Sequence, residues 1–317
     1  MTPLVRSMLG TAAALLLAAG TASAAPFAYV PNEKSGTISI IDTQSDSVVA
    51  TVATGGKPRG MAVGADGAML YVSDSGSNAL LVVDLGKRAV VDRIALHESP
   101  EGVGISPDGR WIVVASEISN SVAFVSSATR TLAFSVPTRG KNPEHADFSP
   151  DGKWLYVSAE EADTVDVIDV EQRAQVNAVT VGRRPRGIGF TPDGRRAYVA
   201  AEIAGTVYAI DTASQQVIAR IASGNYSNGV TIHPDGKTVY VSNGKDGTVS
   251  VIDTADNKLG ATIPVGKRPW NMAITPDGAK LYVANGRSGS VSVIDTASRQ
   301  VIREISVGEL PWGVVIR

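Results

Sequence analysis

Side chains able to move protons or hold a metal are scarce in this chain of 317 residues, and their placement narrows its chemistry. There are no cysteines. Disulfides, thiolate metal sites, iron–sulfur clusters and covalently attached c-type haem are therefore excluded within the chain. The three histidines, His97, His145 and His233, are scattered along the sequence, whereas a metal site draws its ligands from a cluster. No metal and no cofactor are expected. His145 is the histidine to watch, because it stands near the start of a strand where most copies of the repeat described below carry glycine. No Gly-x-Ser-x-Gly elbow and no glycine loop between strand and helix occurs. Aspartates, asparagines and tyrosines are plentiful but recur at one period, as in Asp277, Asp295, Asn32, Asn243, Asn285 and Tyr282. A catalytic group should be singular, so these are read as turn, cap and packing residues, and no catalytic residue is assigned.

The informative positions are those where the repeat varies. After the proline (once Ser227) that opens a particular strand stand Arg59, Glu101, Glu144, Arg186, Asn228, Trp270 and Trp312. A purely structural position would tend to keep one residue type. Two guanidiniums can hold a carboxylate in bidentate fashion, and two indoles offer flat apolar area with one donor each. These seven, with His145, are the expected ligand- or partner-binding set. The segments just before them add Lys57, Lys141, Arg183, Arg184, Lys267 and Arg268, and the loops after the second strands add Asp74, Glu117, Glu160 and Glu202.

The elements that position these residues follow from the repeat. Asp66, Asp108, Asp151, Asp193, Asp235 and Asp277 recur every 42 or 43 residues in Pro-Asp-Gly, or Ala-Asp-Gly in the first copy. Short alternating apolar runs lie between the turns, as in residues 280–284, 290–294 and 301–307; this is the period of half-buried strands, not of helices. A repeat near 40 residues built of four short strands predicts a propeller blade. The 292 residues from Pro26 make close to seven such units. Residues 27–30 match a second strand and 311–316 a first strand, so the two ends should complete one shared blade, which removes two exposed sheet edges. The fold class expected is an all-β, seven-bladed propeller of four-stranded antiparallel blades in one domain, residues 25–317. Residues 1–24 read as a signal peptide: Arg6, an apolar run over 8–19, then Ala22-Ser23-Ala24. The run is too short to span a bilayer, so a periplasmic protein with no membrane span is expected.

The segments Tyr240–Asn243 (YVSN), Tyr282–Asn285 (YVAN) and Tyr29–Asn32 (YVPN), with their flanking Pro-Asp-Gly and Val-Ser-Val-Ile-Asp-Thr, resemble the YVTN family of β-propeller repeats. The length, leader and single-domain layout look most like the bacterial propellers associated with pyrroloquinoline-quinone (PQQ)-dependent catabolism. That resemblance implies a non-enzymatic accessory protein, a monomer, whose partner is a periplasmic quinoprotein dehydrogenase, its cytochrome c or a small-molecule ligand. Two other functions stay open: a propeller hydrolase or lyase such as a lactonase, and a surface-layer or envelope structural protein. With 31 acidic and 29 basic residues, the chain has no footprint for nucleic acid.

Overall fold

The computed structural model describes residues 26–317; the expected leader lies outside the described residues. Seven four-stranded sheets form the molecule. They are blades 2 to 7, opening with the inner strands Pro58–Val63, Pro100–Ile105, Pro143–Phe148, Pro185–Phe190, Ser227–Ile232 and Pro269–Ile274, and blade 1, whose strands come from both ends of the chain. Among the described residues no helix is long and apolar enough to cross a membrane.

The repeated residues account for the blade. The Pro-Asp-Gly glycines hold the left-handed backbone, with φ near 71–75° at Gly109, Gly152 and Gly278, a region that glycine enters without steric cost. The preceding aspartate closes the turn: Asp277 accepts the Thr275 hydroxyl at 2.5 Å and the Ala279 N–H at 3.0 Å. The second aspartate series caps the next hairpin, as where Asp295 accepts the Ser298 N–H at 2.7 Å. The strands bury Val, Ile, Leu, Phe and Tyr in seven hydrophobic clusters, each lying between two adjacent blades. The core is therefore a ring of seven interfaces around a central channel.

Closure follows the sequence expectation with one difference. Ala28 pairs with Ile316 and Tyr29 with Val315. The Phe27 N–H donates to Arg317 O at 2.8 Å, and the Arg317 N–H donates back at 3.0 Å. The closing strand is only Val315–Ile316, shorter than the 311–316 expected, with an isolated bridge from Asn32 to Pro311. The cause is shared by all inner strands: the ladder breaks just after the opening residue, between Pro58 and Met61, Pro143 and Ala146, Pro185 and Ile188, and their equivalents. Such bulges re-aim side chains. Here they release the varied residues from the sheet at one mouth of the channel.

Candidate functional site

The inner strands converge so tightly that most can carry only glycine after the varied position. A Cβ on Gly187 would lie 2.6 Å from Asn228 O, and one on Gly229 2.6 Å from Trp270 O. Two strands depart from this, with His145 and Asn271, and their side chains fill the channel just below its mouth. His145 had a signal in sequence. Asn271 had the same one, a polar residue in place of glycine, and was missed.

The eight expected residues come together at this mouth. Arg59, Glu101, Glu144, Arg186, Asn228, Trp270 and Trp312 line a cavity of about 300 Å³ along with Glu33, Glu117, Arg184, Arg268 and Asn271. Below it, His145 joins Arg59, Asn271 and Trp312 around a smaller space of about 120 Å³. The two tryptophans play different parts. The Trp312 indole stacks on the His145 ring, with centroids 5.4 Å apart and planes at 17°. Trp270 lies back over Gly286, where a Cβ would meet its ring at 2.6 Å.

The charged groups form a dense, buried array. Arg186 reaches Glu144 and Glu160 at 2.5 Å each and Glu202 at 3.1 Å. Arg184 bridges Glu160 and Glu202, and Arg268 meets Glu202 at 2.8 Å. Across the channel, Arg59 pairs with Glu101 and, at 3.0 Å, with Glu33. Glu101, Glu144, Glu160 and Glu202 are all buried. A substrate carboxylate must therefore compete with glutamates for Arg186. The loops carry strain as well: Ser99, Asn142, Arg184, Tyr226, Arg268 and Leu310, each just before an inner strand's opening region, have φ between 53° and 62°, at about 1–3 kcal/mol each for residues other than glycine.

Burial separates these acids and bases into distinct protonation states. Burial, then the charge of Glu144, pushes Glu101 up to about 9 against the pull of Arg59. Its Oε2 has no hydrogen-bond partner. Burial and Glu144 likewise carry Glu160 to about 7, opposed by Arg186 and Arg184. Burial works the same way on Glu144, yet Arg186, then His145 and Arg59, hold it below the ordinary carboxylate range. Burial lowers the His145 pKa, with Glu144 opposing and Arg186 assisting. Both His145 ring nitrogens are buried and meet no partner at full hydrogen-bond geometry, and the Asn271 side chain beside the ring favours its protonated form against the burial. Arg186 stays charged, since its three glutamates outweigh its burial. The mouth thus holds a protonated carboxyl, a neutral imidazole and fixed guanidiniums at neutral pH. Groups pushed apart in this way are the marks of acid–base chemistry.

The other singled-out groups are structural. His97 Nε2 lies 3.0 Å from Ser135 Oγ on the surface. The His233 ring packs against Gly278 of the next blade's turn, with Nδ1 2.7 Å from Asp235. Asn243 donates to Thr248 and Ser250 within its own blade. Among the described residues no group of three or more His, Cys, Asp or Glu is disposed to hold a metal ion.

Solved structures share the architecture. The chain is similar to one titled Kuenenia stuttgartiensis hydrazine synthase, at 24% identity over 90% of this chain and 99% of that one, with a TM-score of 0.79. It is similar to a functionally unknown protein from Desulfotomaculum acetoxidans, at 20% identity, 92% and 98% coverage and a TM-score of 0.80. It is also similar to the dihydro-heme d1 dehydrogenase NirN in complex with DHE, at 16% identity, 94% and 76% coverage and a TM-score of 0.71. At these identities the likeness shows the fold. No curated protein matches the chain. The family described as Lactonase, 7-bladed beta-propeller, matches residues 87–177 and 170–301. That match overturns the expectation of a non-enzymatic binding protein. That expectation rested on the resemblance and on finding no singular catalytic motif in sequence, whereas burial, which only the closed ring creates, shifts the protonation of the mouth glutamates. With more than half of its length matched, this chain belongs to the lactonase family of seven-bladed β-propellers.

Proposed function

We propose that the chain opens a lactone at the channel mouth, with His145 as general base and Glu101 as general acid. The observation that carries this is a neutral imidazole in the space just below the mouth and a carboxyl held protonated in the mouth cavity above it, two spaces that share Arg59, Asn271 and Trp312 as walls. Water loses a proton to His145 and its oxygen adds to the lactone carbonyl carbon. Arg186 and Arg268 stabilise the charge that develops on the carbonyl oxygen. The ring C–O bond breaks, and Glu101 protonates the leaving oxygen. The product is a hydroxy acid. Trp312 fixes the plane of the imidazole, and Asn271 closes the channel beside it.

We place the reaction in the periplasm, on the reading of residues 1–24 as a leader. The association with quinoprotein oxidation fits as chemistry, because oxidising a cyclic hemiacetal yields a lactone. Fractionation of cells making the full chain tests the location: activity in the osmotic-shock fluid supports it, and activity confined to the spheroplasts overturns it. The test of function is proton release, followed by pH-stat, from a panel of γ- and δ-lactones that includes aldonolactones. Turnover is expected, with kcat reduced about 100-fold or more in His145→Ala, the usual scale for a lost general base. No turnover of any lactone, or full activity in His145→Ala, would overturn the proposal.

A further inference from the structure

Two places after its opening residue, an inner strand carries Gly60, Gly102, Gly187, Gly229 or Gly313. His145 and Asn271 are the two exceptions, and they meet. Blade 4, which holds His145, stands across a ring of seven from blades 7 and 1. Its imidazole nevertheless stacks on Trp312, at the blade 1 joint. It also lines the same space of about 120 Å³ as Asn271 of blade 7. The His145 side chain therefore spans the channel and ends beside Asn271. A residue that only plugged the channel would be apolar. Both of these are polar, and a polar group away from water is costly unless it is hydrogen-bonded.

The Asn271 amide has a defined orientation. Its backbone N–H and its Nδ2 both donate to Trp312 O, at 3.4 and 3.5 Å. A Cβ on Gly313 of blade 1 would find Nδ2 at 3.7 Å, and a Cβ on Gly229 of blade 6 would find Oδ1 at 3.1 Å. The nitrogen is thus turned toward blade 1 and the oxygen away from it. A neutral imidazole has one N–H and one lone pair. A general base needs the lone pair toward the attacking water, so the N–H needs an acceptor elsewhere. We propose that Asn271 Oδ1 is that acceptor: it takes the hydrogen bond of one His145 nitrogen and so keeps the lone pair on the other, facing the lactone. This rests on the lactone-opening reading. In the free protein the two groups fall short of full hydrogen-bond geometry, as catalytic hydrogen bonds often do before substrate tightens them. When His145 takes the proton from water, the bond to Oδ1 becomes charge-assisted and roughly twice as strong. Asn271 exchanges no proton itself. It is a positioning residue, since it acts through His145. Trp312 supports both partners, its indole holding the ring plane and its carbonyl holding the amide.

The Asn271 side chain favours the protonated imidazole, as Glu144 does, against burial and Arg186. Nitrogen-15 NMR of histidine-labelled protein reads both the tautomer and the titration of each ring. The chain has three histidines, and His145→Ala identifies the signal. Asn271→Leu keeps the volume and removes the acceptor. Asn271→Gly installs the residue that the other inner strands carry, and serves if the leucine variant does not fold. Asn271→Asp keeps an acceptor and adds a charge. The wild type is expected to show two well-separated nitrogen shifts for His145, the mark of one tautomer. In the leucine and glycine variants the two shifts should draw together, and the His145 pKa should fall by about one unit, the scale of a hydrogen bond to a charged group. Asn271→Asp should keep the tautomer and raise the pKa. Glu144 and Arg186 are the same in all four proteins, so the differences belong to position 271. In parallel, kcat for lactone opening should fall about tenfold in the leucine and glycine variants with KM unchanged, part of the contribution of a general base. A His145 tautomer and pKa that stay at the wild-type values in the folded variants would overturn the proposal, whatever happens to catalysis. Absence of lactone turnover in the wild type would sink the lactone reading, while the NMR comparison still decides whether Asn271 holds the imidazole.

Discussion

Glu101 shows how a residue that looks ordinary in sequence becomes chemical in the fold. A free glutamate ionises near 4.3, whereas burial, then Glu144, keeps this one protonated to about 9. Its folded pKa is raised, so the associated stability is fully present below about 4.3 and is lost as pH rises through 9. Glu101→Gln cannot ionise. Chemical denaturation at pH 5, 7 and 9 should show the variant gaining on the wild type as pH increases, with a residual slope below pH 7 from Glu160 and Asp147, which rise to about 7. Its kcat should fall by about 10²-fold or more, because glutamine can donate a hydrogen bond but has no proton to give. A wild type and variant with parallel pH–stability curves would show that Glu101 is ionised in the fold. The ring itself was legible in sequence, since Arg59, Glu101, Glu144, Arg186, Asn228, Trp270 and Trp312 vary where a repeat should not. The protonation states were not legible: burial and the approach of Glu144 to Glu101 are products of the closed ring.

The inner strand is the element that makes the site. Its opening residue fixes the entry, a break in the ladder frees the next side chain, and glycine then lets neighbouring strands approach. Gly187→Ala would put a Cβ 2.6 Å from Asn228 O and 2.8 Å from Val230 N, all backbone that cannot swing aside. Overpacking of this kind costs about 1–3 kcal/mol. Gly260→Ala, whose nearest neighbour is Val251 O at 3.7 Å, is the control and should be nearly neutral. Urea titrations compare them directly; equal midpoints would mean that the inner strands are looser than drawn. The turns, strands and their order could be read from Pro-Asp-Gly and the alternating apolar runs. The break after each opening residue could not, because it arises where seven strands crowd one axis. Asn271 was passed over for the same reason: its exception to the glycine rule matters only once that crowding is seen.

At the scale of the whole molecule, seven interfaces and no central core make the ring only as strong as its joint. Blade 1 is completed by two residues of strand, with Phe27 and Arg317 exchanging backbone hydrogen bonds. The Arg317 guanidinium adds bonds to Gly64 O at 3.1 Å and Ala65 O at 2.6 Å in blade 2. On the other side, Lys280 Nζ of blade 7 meets Asp46 of blade 1 at 2.7 Å, and the Tyr282 hydroxyl donates to the same carboxylate. Blade 1 is therefore held to both neighbours, and the incomplete repeats at the two ends of the sequence foretold this joint because each lacked what the other supplied. Removing residues 315–317 takes away the closing strand and the Arg317 contacts but leaves Trp312 beside His145. At about 1 kcal/mol per hydrogen bond, the loss should be about 3 kcal/mol or more, a fall in Tm on the order of 10 °C. The strand Phe27–Asn32 would then expose an unpaired edge, so aggregation on heating should begin earlier than in the full chain. The mouth should be spared, because the Trp312 N–H still donates to Pro31 O at 2.9 Å and holds the indole on the imidazole. Calorimetry and light scattering on the truncated protein check these effects. Melting and scattering curves that overlay those of the full chain would mean that blade 1 is held by its neighbours alone.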